Sequence, residues 1–180
     1  PTHPHEEMEI ITIVLDGEMT HQDSMGNKTV IQTGDVQRMS AGTGLTHSEF
    51  NLADRPVHFY QIWIFPDGAG LKPSYDQKRF ASADCRNKLL PVASGQGKAG
   101  AVTFHTDATI YRCDLEAGKT VAHKATAGRR IFVYLTKGLL TANGEIVRSK
   151  DQARIDIDGP LTLEAKQDSE LILIDVPSCK

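Results

Sequence analysis

The chain has 180 residues, of which 39% are hydrophobic and 24% charged, and its formal net charge is −3. These values are typical of soluble globular proteins and exclude the disordered and fibrous classes. Because the charge has no basic excess, neither nucleic acid nor an anionic membrane is a favoured partner. The spacing of the three cysteines fits neither a disulfide framework nor a thiolate metal site: Cys85, Cys113 and Cys179. No apolar run is long enough for a membrane span. We therefore expect a protein of the reducing cytoplasm.

The chain opens on a predicted strand that carries two histidines. His5 lies two residues after His3, and Glu9 lies four residues after His5, so the separations are even numbers. An apolar run over residues 10–15 follows. In a regular strand, side chains two residues apart point to the same face, so these three groups are predicted to share one face. Imidazole and carboxylate suit a divalent transition metal, which would explain their use there.

Short strands separated by glycine-rich and polar turns follow the opening strand. A turn over residues 23–27 predicts a hairpin, and a bend over residues 40–46 delivers His47 and Glu49, again at same-face spacing. The run 57–65 is rich in β-forming residues and is predicted to be a central strand. Its aromatic residues are predicted to pack in the core: Tyr60, Trp63 and Phe65.

The second half of the chain repeats the rhythm of the first. Residues 9–17 and 130–138 are both apolar strands that end in a glycine turn, while residues 81–100 lack any period and are predicted to be a linker. We therefore predict an all-β bicupin of two antiparallel barrel or jelly-roll domains, an N-terminal metal-binding domain at 1–80 and a C-terminal one at 101–180. The C-terminal domain is predicted to be degenerate, because Lys124 and Thr126 replace the histidine pair.

Four residues are the candidates for one metal centre: His3, His5, His47 and Glu49. Three imidazoles and a carboxylate suit a divalent ion with an open position, as a catalytic site requires. Glu9 competes with Glu49 as the carboxylate, either as a ligand or as a group that orients a histidine. The alternative is that His3 and His5 are surface residues on a frayed terminus and that His47 is a hydrogen-bonded core histidine.

The remaining histidines receive no metal role. His21 is predicted to lie on the surface beside a polar turn, and His58 to be a paired core histidine. His105 and His123 have no partner at ligand spacing in the sequence. We therefore expect none of these four residues at the metal centre.

The stretches 2–5, 21–27, 34–44 and 47–49 together resemble the pirin family of bicupins, and most of all its bacterial members that are like quercetin 2,3-dioxygenase. The resemblance is continuous from residue 1 to about residue 80 and weaker beyond. It maps the metal ligands of the family onto His3, His5, His47 and Glu49, and it leaves Glu9 outside the ligand set. Family members carry further residues before the first histidine pair, so the N-terminal part is expected to be truncated.

The resemblance implies an enzyme that opens the heterocyclic ring of a flavonol with dioxygen and releases carbon monoxide. Glu49 is then the candidate catalytic base, and the metal is expected to be iron, with nickel, copper, manganese, cobalt or zinc as alternatives. The expected partners are a flavonol and dioxygen, and the protein itself is expected to be a monomer. The alternatives are a metal-binding, redox-responsive transcription cofactor, another cupin chemistry such as isomerisation or hydrolysis, and a metal-free structural barrel.

Overall fold

The structure is a computed structural model that describes residues 1–178, so Cys179 lies outside the described residues. No helical segment in this range has the length and apolar character needed to cross a bilayer. The range contains eighteen strands and one short helix. In chain order they are β1 (His3–His5), β2 (Glu9–Asp16), β3 (Glu18–Asp23), β4 (Lys28–Gln32), β5 (Asp35–Ser40), β6 (Leu45–Phe50), β7 (His58–Ile64), β8 (Ser74–Arg79), α1 (Ser82–Cys85), β9 (Leu90–Ser94), β10 (Val102–Thr103), β11 (Thr109–Leu115), β12 (Thr120–Ala125), β13 (Arg129–Lys137), β14 (Leu139–Ala142), β15 (Glu145–Arg148), β16 (Gln152–Asp156), β17 (Gly159–Ala165) and β18 (Ser169–Pro177).

The first of two compact units comprises Pro1–Phe80 and Ala93–Thr106. It contains two four-stranded antiparallel sheets, in the orders β1-β6-β3-β4 and β7-β2-β5-β8. The apolar interior of this unit includes a cluster of Ile10, Met39, Ala41 and Leu45 and a cluster of Val14, Met19 and Ile31. Strand β2 contributes to both clusters and is therefore the central structural strand of this unit.

The second unit comprises Ala81–Val92 and the chain from Asp107 onwards. Its sheets run β12-β17-β14-β15 and β11-β18-β13-β16. A single cluster of mainly aliphatic side chains fills it, including Ile131, Val133, Leu135, Leu163 and Leu173, all of them fully buried. The interior of this unit is thus predominantly apolar.

The strand orders confirm the predicted duplication. The sheet β1-β6-β3-β4 has the same order as β12-β17-β14-β15, and β7-β2-β5 corresponds to β18-β13-β16. Gly17 and Gly138 follow β2 and β13 with φ of 80° and 96°. A Cβ atom would lie 2.6 Å from Pro56 O at the first glycine and 2.4 Å from Asp168 O at the second, so both turns require glycine. The protein is an all-β bicupin.

The stretch 81–100, predicted to be a linker, contains regular structure. Helix α1 and strand β9 lie in it, and the end of β9 pairs in parallel with β10, Ala93 opposite Val102 and Ser94 opposite Thr103. The structure groups residues 81–92 with the second unit and residues 93–106 with the first. The chain therefore passes back into the first unit after it has entered the second.

The opening stretch is two strands and not the single strand predicted. Strand β1 ends at His5 and β2 begins at Glu9, and the two belong to different sheets. Between them Glu7 has a φ of 48°, a left-handed conformation, and its backbone N donates to Gly42 O at 2.9 Å. This bend breaks the even spacing, so the expected shared face of His5 and Glu9 is wrong.

The prediction of a central, core-forming strand over residues 57–65 is also wrong. Strand β7 lies at the end of its sheet and pairs only with β2 among the described strands. Trp63 and Phe65 are 55% and 76% exposed, and His58, predicted to be a core histidine, is exposed as well. Aromatic residues raise strand propensity at edge and centre alike, so composition did not determine the position of this strand.

Candidate metal centre

Strands β1 and β6 bring three imidazoles of the first unit together, with His3 exposed, His5 half-buried and His47 buried. The two strands are antiparallel, with His3 opposite His47 and His5 two residues further along the same face. The ring centroids lie 4.9 Å apart for His3 and His5, 4.4 Å for His3 and His47, and 5.0 Å for His5 and His47. One nitrogen from each ring lies within 4.8 Å of the others, so the three rings could together hold one ion.

The ring nitrogens of this cluster have the free lone pairs that a metal needs. Nε2 of His5 and Nε2 of His47 are both buried and have no hydrogen-bond partner in the described chain. Nδ1 of His3 lies 3.0 Å from Pro1 O and donates to it, so its Nε2 carries the lone pair. A buried nitrogen without a partner costs about 1–3 kcal/mol, and a bound divalent ion would remove that cost. The residues therefore fit a divalent metal.

The electrostatics of the cluster favour the neutral form of His5 and His47, the form in which an imidazole binds a metal. Burial, followed by the charges of His3, His21 and His5, lowers the pKa of His47 to about 4. Burial and then the neighbouring His3 lower the pKa of His5. At neutral pH these two rings compete little for protons, so their lone pairs are available to a cation.

Glu49 lies beside His47, next to Nδ1 of its ring. Its Oε1 is 4.0 Å from Nδ1 of His47, and it belongs with His47 and His21 to a second group of ligand atoms within 4.8 Å of one another. Oε1 is buried and has no hydrogen-bond partner in the part of the chain that the structure describes, whereas Oε2 accepts a 2.8 Å hydrogen bond from Gln61 Nε2. The structure thus brings the three predicted histidines together and places the predicted carboxylate next to one of them.

His21 was predicted to lie on the surface, and this prediction is wrong. Its side chain is fully buried, with Nε2 3.0 Å from Asp23 Oδ2 and Nδ1 3.4 Å from Nδ1 of His47. Its ring also lies 5.0 Å from that of Tyr75. The signal was present in the sequence, because His21 and Asp23 have the same two-residue spacing as the other pairs.

Glu9 belongs to a separate buried polar cluster. Its Oε2 accepts a 2.7 Å hydrogen bond from Ser40 Oγ, and its Oε1 lies 3.1 Å from Nδ1 of His105. His105 therefore has a carboxylate partner 96 residues away, which sequence spacing could not reveal. Glu9 belongs to neither group of possible metal-ligand atoms. In the second unit His123 likewise pairs with a carboxylate, at 2.8 Å from Asp175 Oδ2.

Apolar and aromatic side chains flank the histidine cluster. The Trp63 ring lies 5.1 Å from that of His5 and meets it edge on. On another side a cavity of about 270 Å³ opens beside His3 and Glu49. The other residues that line this cavity are Pro1, Met19, Phe50, Asn51, Val57 and Phe59. Such a mainly apolar cavity next to a few polar groups is typical of small-molecule sites.

The fold and the site together define the class of protein: a bicupin whose first unit holds an imidazole cluster fit for a divalent metal. Among the described residues, both groups of possible metal-ligand atoms lie in this unit. Comparison with known proteins gives the same class. Residues 1–64 match the family described as Pirin, and residues 91–176 match the family described as Quercetinase C-terminal cupin domain.

Individual relatives narrow this class to a family. The chain is 40% identical over 177 residues to quercetin 2,3-dioxygenase of Escherichia coli K12, covering 98% of this chain and 75% of that protein. A pirin-like protein of Caulobacter vibrioides is 40% identical over 176 residues, covering 97% and 76%. The crystal structure of the bacterial pirin YhhW from E. coli in complex with nickel(II) is 39% identical, with a TM-score of 0.92 over 99% of this chain and 76% of that one. The chain belongs to the pirin family.

Proposed function

We propose that the protein is a metal-dependent dioxygenase of the cytoplasm that cleaves the heterocyclic ring of flavonols such as quercetin and releases carbon monoxide. The observation that carries the proposal is the cluster of His3, His5 and His47, in which two buried Nε2 atoms have no hydrogen-bond partner among residues 1–178. The names of relatives at 40% identity support the substrate class. Iron is our first candidate for the metal, and the nickel complex of a relative makes nickel the next.

The proposed ligands are His3, His5 and His47, joined by Glu49 through Oε1. When bound, a divalent ion supplies a Lewis acid for the 3-hydroxyl group of the flavonol. Glu49 is the proposed base, because its Oε1 is buried, has no partner, and lies next to the cluster. Gln61 holds the other oxygen of this carboxylate at 2.8 Å, which fixes the direction in which Oε1 points.

The surroundings of the cluster suit a flat aromatic substrate. Met19, Val57 and Phe59 are among the side chains that line the cavity beside His3, and such apolar side chains would limit the access of water to the reacting oxygen. The reaction needs no further co-reactant: both atoms of dioxygen enter the ring-opened ester, two carbon–carbon bonds of the heterocycle break, and the carbon between them leaves as carbon monoxide. Electrons from the deprotonated flavonol reduce the dioxygen.

The test is turnover of quercetin by the metal-loaded protein in air, with carbon monoxide in the headspace measured by gas chromatography. We expect loss of the visible absorbance of quercetin with one carbon monoxide released per molecule. His47→Ala should abolish both signals, whereas His123→Ala, a buried histidine of the second unit, should retain them. Glu49→Gln with bound metal and full turnover would remove Glu49 as the base.

Three outcomes would contradict the proposal. No carbon monoxide from fully metallated protein would favour a redox-responsive cofactor role. Turnover of a substrate that persists without oxygen would indicate another cupin chemistry. A metal content well below one ion per chain that does not change in His47→Ala would indicate a structural barrel.

A further inference from the structure

Strand β3 lies beside β6 and places two polar residues against the proposed metal ligands. In the antiparallel register Asp23 is opposite His47, and His21 is opposite Glu49. Opposite residues in a sheet share a face, so all four side chains point into the first unit. The side chains of the pair on β3 are fully buried, and Nε2 of His21 lies 3.0 Å from Oδ2 of Asp23.

The hydrogen bonds of Asp23 show which groups donate. Its Oδ1 accepts from the backbone N atoms of Met25 at 2.9 Å and Asn27 at 3.0 Å, and its Oδ2 accepts from Asn27 Nδ2 at 2.8 Å. Burial raises the pKa of Asp23, but the hydrogen bonds from Asn27 and His21 more than offset this effect and hold the pKa below its usual value. Asp23 is thus a carboxylate, so Nε2 of His21 at 3.0 Å must donate to it.

This assignment determines the other nitrogen of His21. A neutral imidazole that donates through Nε2 has a lone pair on Nδ1. Nδ1 of His21 faces Nδ1 of His47 at 3.4 Å, and Gln37 Nε2 lies at the same distance. Both neighbours can donate to that lone pair, and His47 does so when its hydrogen is on Nδ1. Its Nε2, which is buried and has no partner among the described residues, then keeps its lone pair, and His47 shares a group of possible metal-ligand atoms with His3 and His5.

We propose that His21 is a positioning residue for the metal centre: held by Asp23, it accepts a hydrogen bond from Nδ1 of His47 and fixes the tautomer in which Nε2 of His47 is free to bind metal. The inference rests on the proposed metal centre and adds to it a residue outside the ligand set. Without His21, the hydrogen of His47 would distribute between both nitrogens, and the ring could rotate. Loss of such an outer partner typically weakens metal binding by about 10–100-fold.

The experiment measures Ni²⁺ affinity by competition with a chromophoric chelator, for the wild type and three variants. His21→Leu removes the acceptor and should weaken binding by about tenfold or more. His21→Gln retains a donor for Asp23 and an acceptor for His47, so it should recover part of that loss. His123→Leu is the matched control: it breaks the same kind of buried pair, with Asp175 at 2.8 Å, in the other unit. Its Ni²⁺ affinity should equal that of the wild type, even if its melting temperature falls.

A second measurement reads the tautomer without metal. ¹⁵N NMR of the metal-free wild type should show the hydrogen of His47 on Nδ1, and His21→Leu should shift it toward Nε2. Wild-type affinity in His21→Leu, equal losses in His21→Leu and His123→Leu, or a wild-type hydrogen on Nε2 would each overturn the inference. A wild type that binds no Ni²⁺ would instead overturn the metal centre, and the NMR result would still decide the tautomer.

Discussion

Gln61 donates a 2.8 Å hydrogen bond from Nε2 to Oε2 of Glu49. The orientation of its amide is fixed from the other side, because Nε1 of Trp63 donates to Oε1 of Gln61 at 3.0 Å. Trp63 in turn packs its ring against that of His5. One edge strand therefore contacts the proposed centre at two points, through the carboxylate and through an imidazole.

Replacing Gln61 with leucine should lower quercetin turnover. The variant removes the donor that holds Oε2 of Glu49, and a hydrogen bond to a charged group contributes about 1.5–3 kcal/mol, so we expect a fall in kcat of about tenfold or more. Steady-state kinetics on samples matched for metal content would measure it. Trp63→Phe, which keeps a ring near His5 but loses the N–H group, should show a smaller fall. Unchanged kcat in Gln61→Leu would contradict the orienting role.

Replacing His105 with alanine should destabilise the fold without changing metal affinity. His105 contacts Glu9, whose side chain is 1% exposed and whose Oε1 would lose its 3.1 Å partner. Leaving a buried group short of a partner costs about 1–3 kcal/mol, which urea denaturation would measure. His58→Ala, at an exposed site on β7, is the control and should change stability little. A weakened Ni²⁺ affinity in Glu9→Gln would instead show that Glu9 acts at the metal, as the sequence left open.

Local patterns in the sequence predicted much of the fold and of the candidate site. Two-residue spacing placed His3 with His5 and His47 with Glu49, since strand geometry repeats every two residues. The glycine turns after β2 and β13 revealed the duplication, because both turns need a residue without a Cβ atom. These signals all act within a few residues of the chain.

The remaining features depend on tertiary contacts that no local pattern encodes. The left-handed Glu7 turns the chain out of register between His5 and Glu9, and it is held by a hydrogen bond to the distant Gly42. The buried position of His21 follows from the pairing of β3 with β6. The partner of Glu9, His105, is 96 residues away.

Replacing Gly42 with alanine should destabilise the first unit. Gly42 has a φ of 48°, and a Cβ atom there would lie 1.9 Å from Leu71 O and 2.6 Å from Leu71 C, so the backbone would have to move. Left-handed strain in a residue with a side chain costs about 1–3 kcal/mol, and the clash adds to it. We expect a loss of at least about 2 kcal/mol in the free energy of unfolding, measured with urea.

The neighbouring Gly44 supplies the comparison for this variant. It has a φ of 119°, but a Cβ atom there would meet no atom within 4 Å. Gly44→Ala should therefore suffer the backbone strain without the clash and lose less stability. Equal losses in the two variants would show that the close approach to Leu71 is not what requires glycine.

The thiol of Cys113 should be unreactive in the folded protein and should make stability fall at high pH. Burial, followed by Asp114 and Cys85, raises its pKa to about 12, so at pH 8 the reactive thiolate is on the order of 10⁻⁴ of the total. In Cys179→Ser protein, Ellman's reagent should find no rapidly reacting thiol until guanidinium is added.

The raised pKa of Cys113 also affects stability. A folded pKa above the unfolded value stabilises the protein below about pH 9, and this contribution is lost as the pH rises toward 12. The free energy of unfolding should therefore fall by about 1 kcal/mol per pH unit above pH 9, and less steeply in Cys113→Ala. Identical pH slopes in the two proteins would contradict the raised pKa.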